Sequence, residues 1–257
     1  MKPEAAGSLL KLFEEHRSES PEDFKALREG VDFCGEAIEI PQAELIDGIM
    51  HIPVGGPIGR GLGKFEKGAG AVDVGDICDE IDRAEEDPNV RALCFEFDTP
   101  GGMVNGTPEC ADRILRCDKP TLAYCAGQMC SAGYWLGSSC DFMVATRSAD
   151  IGSIGVYCPF LDQSELYKQY GLQVQVFSSG KYKGMGVPGT SLTKDQQQFM
   201  LMRVKEIASM FYAHVSSCRP DAQQDDMQGQ VFLGEASLGK GLIDAVVTDM
   251  DEALEMI

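Results

Sequence analysis

The hydrophobic pattern of the chain changes character near residue 43. Residues 1 to about 42 are polar and charge-rich, with only short apolar clusters such as Leu9, Leu10, Leu12 and Phe13. That pattern predicts an N-terminal arm, either partly helical or loosely ordered, set apart from a main domain over 43–257. From Ala43, AELIDGIMHIPV reads as a strand, and the glycine-rich GGPIGRGLGKFEKGAGA behind it cannot hold regular structure cheaply. Val74, Ile77, Ile81 and Ala84 then recur at helical spacing up to Pro88. The strand RALCFEFD follows and runs into Thr99-Pro100-Gly101-Gly102, read as a turn, with Thr107 and Pro108 opening the next helix as N-cap and first-turn residue.

This alternation continues. TLAYCA reads as a strand, CSAGYWLGSSC as a helix, DFMVA and SIGVY as strands, FLDQSELYKQY as a helix and LQVQVF as a strand. A long helix starts near Thr193, where Thr193 and Gln196 form a T-x-x-Q capping box, and Met200, Val204, Ile207, Phe211 and Val215 supply its apolar stripe. The closing VFLGEASLGKGLIDAVV gives strand, short helix and strand. Alternation of this kind predicts a layered α/β fold with helices packed on mainly parallel strands.

Charge narrows the partners. With 41 acidic against 22 basic residues the formal net charge is −19, which repels nucleic acid and anionic membrane surfaces. The glycine-rich loop holds Gly59, Gly61 and Gly63 but no complete phosphate-binding fingerprint. No apolar run has the length of a membrane span or a signal peptide, so the expectation is an unanchored protein. The 10 cysteines form no CxxC pair and no metal-ligand cluster. They read mostly as reduced, buried small hydrophobes of a cytoplasmic protein.

Function in an α/β sheet concentrates in loops at the carboxyl ends of strands, and three loops stand out. Asp98-Thr99-Pro100-Gly101-Gly102-Met103 has paired glycines that let amides approach a ligand. Ala126-Gly127-Gln128-Met129-Cys130-Ser131-Ala132-Gly133 places Ser131 at or near a helix start. Ser178-Ser179-Gly180-Lys181-Tyr182-Lys183-Gly184 carries two lysines. A serine becomes a nucleophile when a base removes its proton, and its attack on a carbonyl needs donors for the oxyanion. The N–H groups of Gly102 and Ala132 could be those donors if the first two loops are neighbours. None of His16, His51 and His214 sits on such a loop, which argues against a Ser/His/Asp triad. A lysine can take the histidine's place where burial disfavours its ammonium form. The residues leave alternatives open: Ser131 as a helix cap, Gly101 and Gly102 as a tight turn only, Lys183 as a solvated loop lysine and Lys181 as the base.

The ordered set D-T-P-G-G (98–102), C-S-A-G-Y (130–134), I-G-S-I-G-V (151–156) and S-G-K-Y-K (179–183) resembles the signal peptide peptidase A family, which includes the capsid-assembly proteases of tailed phages. The resemblance covers about 45 to 250. It implies the crotonase and Clp protease-like fold of repeated β-β-α units, layered sheets with flanking helices. It further implies Ser131 as nucleophile, Lys183 as base, Ser153 as the residue orienting the base, and Gly102 and Ala132 as the oxyanion donors, with no metal or organic cofactor. Ala132 departs from the family, where glycine is common after the nucleophile; alanine still offers its N–H. Polypeptide substrates such as scaffold or portal proteins, and assembly of the chain into a homo-oligomeric ring, are implied in the same way. So is a place in the host cytoplasm or procapsid, against a cellular signal-peptide-peptidase-like setting. Rivals from other classes are a crotonase-like acyl-CoA enzyme and a catalytically idle assembly scaffold.

Overall fold

A computed structural model describes residues 41–257. The arm expected over 1–42, His16 included, lies outside the described residues but for its last two. The chain divides into two compact units: one runs to Gly155 and resumes at Phe211–Ile257, the other is Val156–Met210.

All nine strands of the described residues lie in the first unit. They are β1 (Glu44–Ile46), β2 (Ile49–Gly59), β3 (Val72–Asp73), β4 (Ala92–Gly102), β5 (Thr121–Cys130), β6 (Phe142–Thr146), β7 (Asp150–Gly152), β8 (Val231–Leu233) and β9 (Ala245–Val247). The main path is β1-β2-β4-β5-β6-β9, with β3 on β2 and β7 between β5 and β8. β2, β4, β5, β6 and β9 run parallel to one another, as helical crossovers require. The segment read as one strand, AELIDGIMHIPV, is instead a hairpin. Asp47 and Gly48 both have positive φ, 48° and 82°, so β1 turns back antiparallel onto β2. An Asp-Gly pair is the sequence signal for that primed turn.

Three long strands bend in step. Register slips between Gly55 and Pro57 of β2 and between Phe97 and Thr99 of β4, and β5 jumps from Cys125 to Met129 opposite them. Before the slips these strands make the main sheet; beyond them β2 pairs β3 and β5 pairs β7. Bulges of this kind re-aim a strand without ending it. Thr99-Pro100-Gly101-Gly102 and Met129-Cys130, expected as turns, are therefore the far ends of β4 and β5. Pro100 is tolerated because the bulge releases its position from regular pairing.

Alternation along the strands feeds two cores. Leu93, Phe95, Phe97, Ala123 and Cys125 face the larger one. Helix α2 (Val74–Glu86) buries the expected Val74, Ile77, Ile81 and Ala84 there. It follows the five-residue α1 (Lys64–Gly68). α3 (Thr107–Leu115) adds Cys110, Ala111 and Ile114. Its N-cap is Gly106, at φ 91°, rather than Thr107; the Thr107 hydroxyl points backwards and donates to the Met103 carbonyl at 2.7 Å. α4 (Ala132–Gly137) is buried on every side. Its Tyr134 hydroxyl donates to the Leu242 carbonyl at 2.8 Å, and Trp135 stacks on Phe211 with centroids 4.3 Å apart. The opposite face is a smaller core of Cys94, Leu122, Val144, Val247 and Ala253.

The second unit has no strand among the described residues. It contains α5 (Ser164–Gln169) and the start of α6 (Lys194–Cys218), whose last turns from Phe211 count with the first unit. The capping box forms as expected: Thr193 N–H donates to Gln196 Oε1 at 3.0 Å and Gln196 N–H to Thr193 Oγ1 at 3.3 Å. Along the apolar stripe only Phe211 and Val215 are buried. The expected strands SIGVY and LQVQVF are irregular. Alternation makes a strand only where an edge supplies hydrogen bonds, and here Leu172, Val176 and Phe177 are exposed, Phe177 by 92%. α7 (Gly234–Leu238), between β8 and β9, and α8 (Met250–Leu254) close the chain as the pattern predicts for β8–α7–β9. No helix of the described residues is long and apolar enough to cross a membrane. The mixed α/β sheet with flanking helices is the architecture of the crotonase and Clp protease-like fold.

Candidate active site

β5 delivers Ser131. Cys130 pairs with Gly152 of β7, and the Ser131 N–H donates to the Gly152 carbonyl at 2.8 Å. The next residue begins α4, so the backbone must turn from strand to helix within a single residue. Ser131 does this at φ 54°, ψ −118°, a region that costs an L-residue about 1–3 kcal/mol and persists only where its surroundings over-determine it. The residue is 8% exposed, yet its side chain makes no capping hydrogen bond to α4. The helix-cap role open to Ser131 on sequence is absent, and its hydroxyl is not spent on the helix. Cys130 points inward, fully buried, with Sγ 3.5 Å from the Asp150 carbonyl.

The Gly101-Gly102 segment abuts this turn. Gly101 has φ 98°, and a Cβ there would lie 2.6 Å from the Ser131 Cβ, 2.8 Å from the Cys130 oxygen and 3.0 Å from the Ala132 nitrogen. A Cβ on Gly102 would sit 2.0 Å from the Ile58 oxygen. Each glycine is there because a backbone passes too close for any side chain. The Met103 N–H donates to the Ile58 carbonyl at 2.8 Å, and Gly102 stands opposite Ile58 in the parallel ladder. A residue in that register turns its own N–H away from the neighbouring strand, which leaves the Gly102 amide free of β2. Ala132, first in α4, has no intrahelical acceptor for its N–H. Ser153 follows Gly152 directly, at φ 52°, with its N–H donating to the Gln230 carbonyl at 2.6 Å. The fold thus brings Ser131, Gly102, Ala132 and Ser153 to one corner of the first unit.

Lys183 belongs to the second unit. It is exposed, in a run of turns where its N–H donates to the Gly180 carbonyl at 3.0 Å. It makes no ion pair among the described residues. The neighbouring Lys181 is different: its ammonium lies 3.1 Å from Asp195 and 4.9 Å from the centre of the Tyr182 ring. A hydrogen bond with Tyr182 and the Asp195 carboxylate hold its proton more tightly than usual, which keeps it in the ammonium form. Tyr182 itself stacks on Phe199, centroids 4.7 Å apart.

The two histidines among the described residues are engaged elsewhere: His51 Nδ1 with Glu96 at 2.7 Å and His214 Nε2 with the Ser139 hydroxyl at 2.9 Å. Desolvation pushes the Cys94 thiol up to about 12 and that of Cys140 well above the ordinary thiol range, which disfavours a thiolate at either. One residue given no role by sequence reasoning stands out. Thr99 is fully buried and bonded at both ends of its hydroxyl; its only sequence signal is its place ahead of the paired glycines.

The chain matches the model of peptidase family S49 over residues 113–256, more than half its length, and belongs to that family. It is 29% identical over 212 residues to the capsid assembly protease C of Escherichia phage lambda, across 81% of this chain and 48% of that protein. It is 30% identical over 212 residues to the head-tail preconnector protein GP5 of Enterobacteria phage P21, across 80% of this chain and 42% of that one. Protease 4 of Salmonella typhi is 26% identical over 186 residues, 68% of this chain and 29% of the relative. The chain spans less than half the length of these three relatives.

Proposed function

We propose that this chain is a serine endopeptidase working through a Ser131/Lys183 dyad. The observation that carries the reading is Ser131 itself: a strained, nearly buried serine whose hydroxyl the helix does not use, packed against a glycine pair with a free amide. The Lys183 amine takes the Ser131 proton as Oγ adds to the peptide carbonyl, and the Gly102 and Ala132 N–H groups hold the resulting oxyanion. Collapse breaks the C–N bond, and the Lys183 ammonium returns the proton to the departing amine. Water then adds to the acyl ester by the same route and frees the serine. Ser153 orients the amine. The chemistry needs no metal or organic cofactor.

Two phage head proteins among the relatives favour head maturation as the setting, with scaffold and portal polypeptides as substrates inside the procapsid or host cytoplasm. A cellular protease of the Protease 4 type is the second reading. Exposed Leu161, Tyr170, Phe177, Leu201 and Met202 offer apolar surface for assembly into a homo-oligomeric ring. Fluorophosphonate labelling tests the dyad. Label on Ser131 that disappears in Lys183→Ala, with fragments from denatured proteins that disappear in Ser131→Ala, is the expected result. An unlabelled protein that binds coenzyme A would make it an acyl-CoA enzyme instead, and one that does neither an idle scaffold.

A further inference from the structure

Thr99 is 0% exposed, and its hydroxyl has one proton to give and lone pairs to receive with. The proton goes to the Gly56 carbonyl, 2.5 Å away, at the bulge of β2. The oxygen accepts the Gly101 N–H at 3.1 Å. Its methyl group faces α4: a Cβ on Gly133, two residues past Ser131, would meet Thr99 Cγ2 at 2.3 Å. One side chain therefore fixes the β2 bulge, the glycine pair and the first turn of the helix that follows the nucleophile.

We propose that Thr99 is the positioning residue of the oxyanion site, and that it decides which of two adjacent glycines serves the reaction. By accepting the Gly101 N–H it ties off that amide within the end of β4. The Gly102 amide, turned away from β2 by the ladder register, is left as the free donor. Without the hydroxyl, two amides in succession compete for the oxyanion, and the bulge of β2 loses its link to the loop. The inference rests on the peptidase reading above and deepens it.

The test is kinetic, on the full chain. Thr99→Val keeps the shape and the methyl contact but removes both hydrogen bonds; Thr99→Ser keeps both bonds and drops the methyl. Thr99→Val is expected to lose about 10- to 100-fold in kcat, with KM changed by no more than about twofold and the pH profile unmoved, because a misaimed donor weakens the transition state and not substrate binding. Thr99→Ser should recover most of the loss. A folded Thr99→Val with wild-type kcat, or a Thr99→Ser as impaired as the valine, overturns the inference. Should the valine variant fail to fold, the unmutated protein decides: on adding a peptide boronate, the Gly102 and Ala132 amide protons shift downfield and that of Gly101 stays. A shift at Gly101 refutes the assignment. Wild-type protein that neither labels nor cleaves takes the peptidase reading down with it, whereas an active wild type beside an equally active Thr99→Val removes only the role of Thr99.

Discussion

The two compact units solve different problems with the same alternation of apolar and polar residues. In the first, parallel strands share their hydrogen bonds, fill two cores and hold Ser131 in a conformation that no isolated peptide would keep. In the second, Val156–Met210, a comparable pattern finds no strand partner, leaves large side chains in solvent and rests on turns and two helical stretches. Charge separates them as well. Asp162, Glu165, Asp195 and Glu206 stand against Lys168, Lys181, Lys183, Lys194, Arg203 and Lys205, so the second unit is weakly basic within a chain of net charge −19. A rigid frame suits the role proposed for Ser131, since a nucleophile's geometry must be pre-set.

The largest expected effect breaks the comparison at its centre. Ser131→Ala should lower peptide cleavage by about 10⁴-fold or more while leaving the thermal midpoint nearly unchanged, since the side chain caps nothing. A helix-capping serine would instead lose about 1 kcal/mol on the same change. On the other unit, Lys183→Arg should cost about 10²- to 10⁴-fold in kcat, because a guanidinium stays charged and cannot accept the proton. Circular dichroism should show its fold intact, since Lys183 is exposed.

Stability should respond chiefly in the first unit. Arg219 is buried, with one terminal guanidinium nitrogen 2.6 Å from Asp244 and its other terminal nitrogen donating to the Cys140 carbonyl at 2.8 Å. Arg219→Met takes a donor from that carbonyl and the cation from Asp244, which keeps its bond from the Met143 N–H and is partly exposed, and should cost about 1–3 kcal/mol in denaturant unfolding. Gly101→Ala should cost about 1–3 kcal/mol, from its φ of 98° and the contact with Ser131, with a parallel loss of activity. Smallest is a pH effect. Burial lowers the proton affinity of His214, against a weaker pull from Asp112. The folded state therefore binds fewer protons than the unfolded one near the ordinary histidine pKa of about 6.5. Stability from this group is complete above that value and declines as pH falls through it. A thermal midpoint that drops between about pH 7 and 5.5, and drops less in His214→Gln, is the expected result.

Periodicity was most legible where one face of an element is buried. The stripe of α2 and the capping box of α6 were readable residue by residue, because both depend on neighbours within about one turn. The Asp47-Gly48 hairpin carried a signal that a reading as one continuous strand overlooks. LQVQVF had the right alternation and no edge to pair with, which no local pattern reveals. The ends of β4 and β5 looked like loops because glycine and proline usually end strands; matched bulges in three neighbouring strands let them continue.

The sequence by itself determined the α/β class, the family and the short list of chemical groups: a serine at a strand-to-helix turn, paired glycines and a lysine loop. These are properties of residue type and order, which a linear chain states directly. Tertiary structure alone decided that Ser131 takes a left-handed backbone with its hydroxyl unspent, that Gly101 lies against it, and that Thr99 joins three segments. Those facts depend on how bulged strands distant in sequence line up, and register between strands is written in their packing rather than in any one stretch of residues.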